Sequence, residues 1–325
     1  MRHVEPKDLS IREVLSLLQG GVTPRPIALV ATISKNGNNN LAPFSFFNAF
    51  GANPPMVAFS PSRRVRDGTT KHTYYNLKRT KECTIQVVTF DIVEQVNLTS
   101  TEYEEGVDEF IKSGLTPIPS DLVKPTRVKE SPFQMECVLN QIVELGNGKG
   151  SGSLMICEVI KFHIAEEIFK GNIIDPSKID VVARNGANYY TRASGSAIFE
   201  VEKPLTARGI GYDQLPQHIK ESKIFTANNL ARFGNSEKVP DQKDVREFIG
   251  SFDNASDIKD DDDKLKSFEK YQHAGDYKKM LSLAISLKKE NYPLAGQLIE
   301  RTAQEALNRN DLEFAWKTAL YAKNL

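Results

Sequence analysis

The sequence predicts a mainly β (β+α) fold, an antiparallel barrel with peripheral helices, followed by an all-α C-terminal extension. Three observations carry this prediction. Several apolar, β-branched runs are separated by hairpin turns, with few helices between them to make parallel crossovers. Two of these runs, 134–145 and 154–164, are long strands joined by one Gly-rich loop. From about Asp253 strand signals stop, and only helical periodicity continues to the end.

In chain order, Ile11, Val14, Leu15 and Leu18 recur at helical spacing behind Ser10, a capping residue, and Gly20-Gly21 closes a helix of about three turns. Arg25 to Ser34 alternates as a strand, and Lys35-Asn36-Gly37-Asn38 is a hairpin turn. An aromatic segment, Pro43 to Phe50, precedes a second strand from Met56 to Ser60 bounded by Pro54-Pro55. Thr70 to Lys81 has few strand formers and suits a helix; Cys83 to Phe90 is strand-like; Asp91 to Tyr103 returns to helical spacing. Gly114 to Pro132 is rich in Pro and charge and has no clear period. The loop between the long strands, Gly146 to Ser153, resembles a phosphate cradle, but its Gly-Lys is followed by Gly and then by a strand. It therefore fails as a P-loop and reads as a flexible hairpin loop.

The chain of 325 residues carries 42 Lys and Arg against 42 Asp and Glu, so bulk charge makes no case for nucleic acid or an anionic membrane as partner. Three cysteines, Cys83, Cys137 and Cys157, lie in strand-like runs without C-x-x-C spacing and read as buried free thiols of a reducing compartment. No apolar run approaches a membrane span and the N-terminus has no apolar h-region; a soluble, cytoplasmic protein is expected. Lys259-Asp260-Asp261-Asp262-Asp263-Lys264 reads as part of an acidic linker. In the helical tail, the segments beginning Asp276-Tyr277 and Asp311-Leu312 resemble each other at an offset near the roughly 34-residue period of tetratricopeptide helix pairs. A plain helical hairpin explains them equally well. The expected domains are a barrel at 1–245, the linker at 246–264 and the helical tail at 265–325.

Catalytic side chains are hard to find. The five histidines are scattered, none pairs with another at metal-ligand spacing, and there is no G-x-S-x-G elbow and no G-x-G-x-x-G between strand and helix. No catalytic residue and no metal ligand is nominated, and a site whose chemistry belongs to a bound cofactor fits better. Pro24 to Thr73 supplies the residue types for a flat, partly polar ring with a phosphate tail. Ser62, Arg63, Lys71 and Thr73 offer cations and hydroxyl donors for the phosphate. Pro43, Phe44, Ser45, Phe46, Phe47 and Asn48, with Ser60, offer polar edges and apolar faces for the ring. On composition alone, each of Phe44, Phe46, Phe47 and Phe50 taken separately is read as core before it is read as ring-lining.

A family resemblance narrows this reading. Pro24-Arg25-Pro26-Ile27-Ala28, Ala42 to Asn48, Asn53-Pro54-Pro55 with Phe59-Ser60, and Lys71-His72-Thr73 with Asn76 are similar to the flavin reductase-like, FMN-binding split-barrel family. So are Asp108-Glu109-Phe110, Gly114 to Pro117, Ser131-Pro132 and Glu136-Cys137, with weaker likeness at 184–190 and 211–216. The resemblance implies a six-stranded antiparallel split barrel that forms a homodimer with FMN near the subunit interface. It implies that Pro43 to Asn48 line the isoalloxazine and ribityl chain beside Ser60 and Ser62, and that Lys71 and Thr73 hold the phosphate. The activity it implies is an NAD(P)H-dependent flavin reductase, with NADH or NADPH as electron donor. A reading from another class is an FMN-binding electron carrier or scaffold without NAD(P)H turnover, whose helical tail recruits a partner protein. One position departs from the pattern: His72 stands where the family commonly has Asp.

Overall fold

The computed structural model describes residues 1–201, 208–252 and 264–323. Its contacts divide the chain into two compact units, Met1–Glu200 and Val201–Leu325.

The first unit is built on a seven-stranded sheet: β1 (Ala28–Ile33), β2 (Asn39–Phe44), β3 (Phe47–Ala52), β4 (Pro55–Phe59), β5 (Glu82–Val87), β6 (Phe133–Glu144) and β7 (Ser153–Ile164). The order is β2-β1-β5-β6-β7-β4-β3, and every pairing is antiparallel. The two edge strands, β2 and β3, are consecutive in the chain and separated only by Ser45 and Phe46. So short a link forces the sheet to curl until its edges meet, which makes it a barrel with a split between them.

Period-two alternation sorts each strand into two faces. Ala28, Val30, Ala42, Phe44, Val57, Phe59, Cys83, Ile85, Met135, Cys137, Met155, Cys157 and Val159 fill one buried cluster, joined by Tyr74 and Leu77 of helix α2 (His72–Thr80). The three cysteines are there as free thiols. The alternate residues Leu29, Ala31 and Leu41 belong to a second cluster, with Ile92, Val96 from α3 (Val93–Leu98) and Phe110 from α4 (Glu109–Ser113). Helix α1 (Ile11–Gly21) starts with a full capping box between Ser10 and Glu13, as the sequence predicts.

Three differences from the sequence reading stand out in this unit. The main sheet has seven strands rather than six, because half of the aromatic segment, Phe47–Ala52, is itself an edge strand, bulged between Ala49 and Gly51. The first strand is broken at Ile27: Arg25–Pro26 leaves the barrel and pairs with Val182–Arg184, which pairs in turn with Tyr190–Arg192. The aperiodic segment 114–132 is fixed by side chains of the sheet's other face. Gln134 Nε2 donates to the carbonyls of Val128 (2.9 Å) and Ser131 (2.7 Å). The Glu136 carboxylate accepts from the backbone N–H of Asp121 (2.9 Å), Leu122 (2.6 Å) and Val123 (3.0 Å), and lies 2.6 Å from His163 Nε2.

The second unit is all helical: α6 (Gln217–Lys220), α7 (Ala227–Gly234), α8 (Gln242–Phe252), α9 (Lys264–Ala274), α10 (Tyr277–Lys289), α11 (Ala295–Asn308) and α12 (Leu312–Lys323), α5 being a short helix of the first unit (Pro176–Ile179). Leu215, Ile219, Phe225, Phe233, Val245 and Ile249 share one core with Leu281, Ala303, Phe314 and Trp316. This is why the division falls at Glu200 rather than at the expected 245: the segment 208–252 packs with the tail. Residues 246–252 of the expected linker are the end of α8, and its acidic part, 253–263, lies outside the described residues. The internal similarity has structural content. Asp276 caps α10 and Asp311 accepts from Phe314 N (3.1 Å), and the paired positions Met280/Ala315, Leu281/Trp316 and Ala284/Ala319 are all buried. No described helix is long and apolar enough to cross a membrane.

Glu136 is a fully buried charge of the barrel. Burial alone would push its carboxyl up, but the hydrogen bonds from Asp121, His163, Leu122 and Val123 outweigh that and hold it at about 2, against an ordinary 4.5. A carboxyl lowered by folding stabilises the protein above its unfolded value and loses that contribution as pH falls through the folded one. Stability is therefore expected to drop between pH 4.5 and about 2. Glu136→Ala should cost about 3 kcal/mol at neutral pH in a denaturant titration and remove most of that acid sensitivity.

Candidate functional site

The site grows from the corner at which the sheet closes. Arg25, only 5% exposed, holds this corner from behind. Its Nη1 donates to the carbonyls of Gln19 (2.6 Å) and Val22 (2.5 Å) and its Nη2 to that of Asn185 (3.0 Å). Its Nε reaches Ser45 Oγ at 3.5 Å, and the guanidinium stands 5.8 Å from the Phe46 ring centre. Phe46 O accepts from Ser60 N (2.8 Å), which ties the corner to the end of β4.

On this frame Phe44 packs inward, its ring 5.1 Å from Phe59, and the Lys71 ammonium stands 5.5 Å from the Phe44 ring centre. Phe47 pairs with Phe59 across β3 and β4 and packs on the barrel core. Pro43, Ser45, Phe46, Ser60 and Ser62 are half-buried, and Asn48 is exposed, accepting from Ala49 N at 2.9 Å. The structure thus joins Phe44, Ser45, Phe46, Phe47, Ser60 and Lys71 into one connected patch. Of the rings that composition allowed to be core, Phe44 is core, Phe46 and Phe47 are half-buried, and Phe50 is exposed.

The turn 62–71 folds on itself. Arg64 N donates to Thr69 O (2.8 Å), and the Arg64 side chain bonds Glu102 (2.7 Å), Thr69 Oγ1 (2.8 Å) and Thr70 O (3.2 Å). The loop expected to be a free hairpin docks here: Arg63 N donates to Ser151 O (2.8 Å), Gly150 N to Arg63 O (3.2 Å), and Lys149 Nζ to Arg66 O (3.0 Å). Gly152 sits close against Ser60: a Cβ there would meet Ser60 Oγ at 2.7 Å, so the Ser60 side chain would have to turn away.

The turn ends in α2, whose N-cap residue, Lys71, supplies no side-chain cap. The first N–H groups of the helix are then open to an anion. Arg63 Nε and Thr70 Oγ1 are buried without a partner, and among the described residues neither Arg63 nor Lys71 has a carboxylate at ion-pair distance. Burial, reinforced by the Arg64 charge, lowers the Lys71 amine below its ordinary value; the Glu102 and Glu109 charges only partly offset this. Two orphaned donors, an unpaired ammonium and an uncapped helix N-terminus around one turn fit a phosphate group.

Thr73 is placed differently from expectation. It is 1% exposed, and its hydroxyl accepts from Asn40 Nδ2 (3.0 Å), which also donates to Thr32 Oγ1 (3.2 Å). Its side chain anchors α2 to the barrel; only its backbone N–H belongs to the open helix end. Thr70, Arg64, Arg25 and the 146–152 loop were not nominated from sequence. Arg25 had a signal, its place in the Pro24-Arg25-Pro26 motif; the other three had none beyond nearness in sequence or Gly content. Among the described residues one group has metal-ligand types close together: Asp121, Glu136 and His163. There Glu136 already accepts three N–H bonds and Asp121 is paired with Lys161, so the cluster reads as a clamp on the 114–132 segment.

The flavin reductase like domain model matches residues 20–190. An uncharacterised protein of Halalkalibacterium halodurans is 34% identical over 207 residues, covering 63% of this chain and 98% of its own. One from Aquifex aeolicus is 36% identical over 186 residues, covering 57% and 92%. Among solved structures, nitrilotriacetate monooxygenase component B from Bacillus cereus superposes with a TM-score of 0.58 at 30% identity, over 62% of this chain and 98% of that one. A Shewanella frigidimarina protein assigned to the flavin reductases, with a split barrel domain, superposes at 0.53 and 26% identity, over 62% and 100%.

Arg25 offers a test of the corner. A lysine there keeps the charge but cannot reach three carbonyls at once. Arg25→Lys is expected to lower stability by about 2 kcal/mol, read from denaturant midpoints.

Proposed function

The chain belongs to the flavin reductase-like domain family, and from that premise we propose that its barrel unit binds FMN and works as an NAD(P)H-dependent flavin reductase. The observation that carries this reading is the unpaired Lys71 ammonium at the uncapped start of α2, beside the orphaned Arg63 Nε and Thr70 Oγ1. Such a set is costly to bury unless an anion completes it.

In this reading Arg63, Thr70, Lys71 and the first N–H groups of α2 hold the phosphate. Phe44 to Asn48, with Ser60 and Ser62, line the ring and ribityl chain, and Arg25 keeps the Ser45–Phe46 corner from moving. Bound flavin supplies the capacity to accept a hydride and pass on electrons. The chain's own part is positioning and the exclusion of water, and no side chain is assigned as acid or base. A second copy of the chain is part of the same proposal. It would cover exposed apolar residues of this unit such as Phe50 (68% exposed), Val22 and Leu17, and the helical unit is proposed as an interaction module for a partner protein.

FMN affinity is expected to fall by about 10–100-fold in Lys71→Ala, as for loss of a charge-assisted contact, with riboflavin affinity unchanged. Because phosphate favours the charged amine, wild-type affinity should be full below the lowered Lys71 value and decline as pH rises through it. That alkaline limb is expected below the ordinary 10.5 of a lysine. In stopped flow, NADH or NADPH is expected to bleach FMN absorbance; failure with both donors would leave the electron-carrier reading in place. The two units have separate cores, so removal of residues 201–325 is expected to leave FMN affinity within about twofold in a fluorescence titration.

A further inference from the structure

The hairpin of β6 and β7 reaches the 62–71 turn, and one carboxylate joins that hairpin to α2. Glu144 is the last residue of β6 and stands opposite Ser153, the first of β7. Its two oxygens serve different elements. Ser153 Oγ donates to Oε2 at 2.7 Å, and Tyr74 Oη, on α2, donates to Oε1 at 2.5 Å. These two bonds outweigh burial and, helped by the charges of Arg63 and Lys78, hold the Glu144 carboxyl below its ordinary value.

Each bond begins a path that ends at a cation of the turn. On the α2 side, Tyr74 is 6% exposed and packs in the barrel core, and its N–H donates to Lys71 O at 3.0 Å. On the hairpin side, Ser153 is fully buried, and Leu145 N donates to Gly152 O at 3.0 Å. The two residues before Gly152 grip the Arg63 backbone: Ser151 O accepts from Arg63 N, and Gly150 N donates to Arg63 O. The two ends of the turn, Arg63 and Lys71, are thus both referred to one carboxylate. Glu144 pairs with neither of them directly, since among the described residues neither has a carboxylate at ion-pair distance.

We infer that Glu144 is a positioning residue for the anion of this turn, fixing the separation of Arg63 and Lys71 by clasping the hairpin to α2. The inference rests on the flavin reading above, in which those two cations take the phosphate. Donors already held at the right spacing need no ordering when the anion arrives, and that favours affinity. The sign of the effect separates a clasp from a mere charge. As a negative charge near an anion site, Glu144 opposes binding; as a clasp, it favours binding. Glu144 is also exposed, so replacing it opens no hole in the core.

The test measures FMN and riboflavin affinities by fluorescence titration in wild type, Glu144→Ala and Glu144→Gln. Glu144→Ala removes both bonds and the charge, and is expected to weaken FMN about tenfold while riboflavin stays within about twofold. Glu144→Gln keeps a group that can meet both hydroxyls, and is expected to bring FMN back to within about twofold of wild type. Tyr74→Phe breaks one of the two bonds and is expected to give part of the loss. FMN affinity unchanged or raised in Glu144→Ala would overturn the inference and leave the flavin reading intact, and so would an equal loss of riboflavin. A second readout needs no ligand: amide hydrogen exchange over residues 60–71 of the apo-protein is expected to quicken in Glu144→Ala and not in Glu144→Gln. If wild type binds no FMN, the flavin reading falls, and exchange unchanged by Glu144→Ala then removes the clasp as well.

Discussion

The barrel depends on a constraint of chain connectivity. The sheet's edges are β2 and β3, and two residues join them, so the sheet cannot lie open. Curling sends Ala28, Val30, Phe44, Phe59, Ile85 and Met155 into a single interior and turns Leu29, Ala31 and Leu41 outward beneath α3 and α4. It also leaves Ser45 and Phe46 at a corner where regular sheet pairing stops, and polar groups at such a corner need other partners. Arg25 meets part of that need from behind, and the Ser60 N–H meets another part. The candidate site is the remaining open side of the corner.

How much of this was legible follows from how local each cause is. Helix α1 and the turn at 35–38 were readable because a capping box and an Asn-Gly turn act within a few residues. The two long strands were readable from apolar runs. Segment 114–132 was not, because what orders it sits elsewhere: Gln134 and Glu136 supply its hydrogen-bond partners, and Val123 and Val128 its buried anchors. The boundary at 245 failed for a related reason. Leu215, Ile219 and Phe233 carry no mark in sequence of which core they join, and they join that of Leu281 and Trp316.

The same distinction runs through the site. Phe44 to Phe47, Ser60 and Lys71 were nominated from residue type and family likeness, and the fold brings them together. Thr73 was assigned to the phosphate by type; in the fold its hydroxyl is buried and accepts from Asn40, and its N–H lies in the first turn of α2. Thr70, three residues earlier, has a buried hydroxyl without a partner. Two threonines three residues apart cannot be told apart by composition. The docking of 150–152 on Arg63 and Ser60 was likewise hidden, since glycines that permit close approach look the same as glycines that permit motion.

The start of α2 shows why the binding claim rests on more than resemblance. Helices α1, α7 and α10 open on Ser10, Thr226 and Asp276, each of which caps its first turn with a side-chain oxygen. Helix α2 opens on Lys71, which cannot accept a hydrogen bond, and a cation there also opposes the positive end of the helix dipole. An ordinary cap at this position would be worth about 1 kcal/mol, stability that α1, α7 and α10 have and that α2, like α3, α6 and α11, lacks. The neighbouring residues make the deficit larger, because Arg63 and Thr70 bury further donors without acceptors. Every one of these local penalties has the same sign and would be relieved by the same object, an anion with several oxygens. A structural role for Lys71 would predict the opposite pattern, with a carboxylate drawn up beside it. Glu102 is committed to Arg64 and Glu109 to the N–H of Leu41, and both influence Lys71 only at a distance.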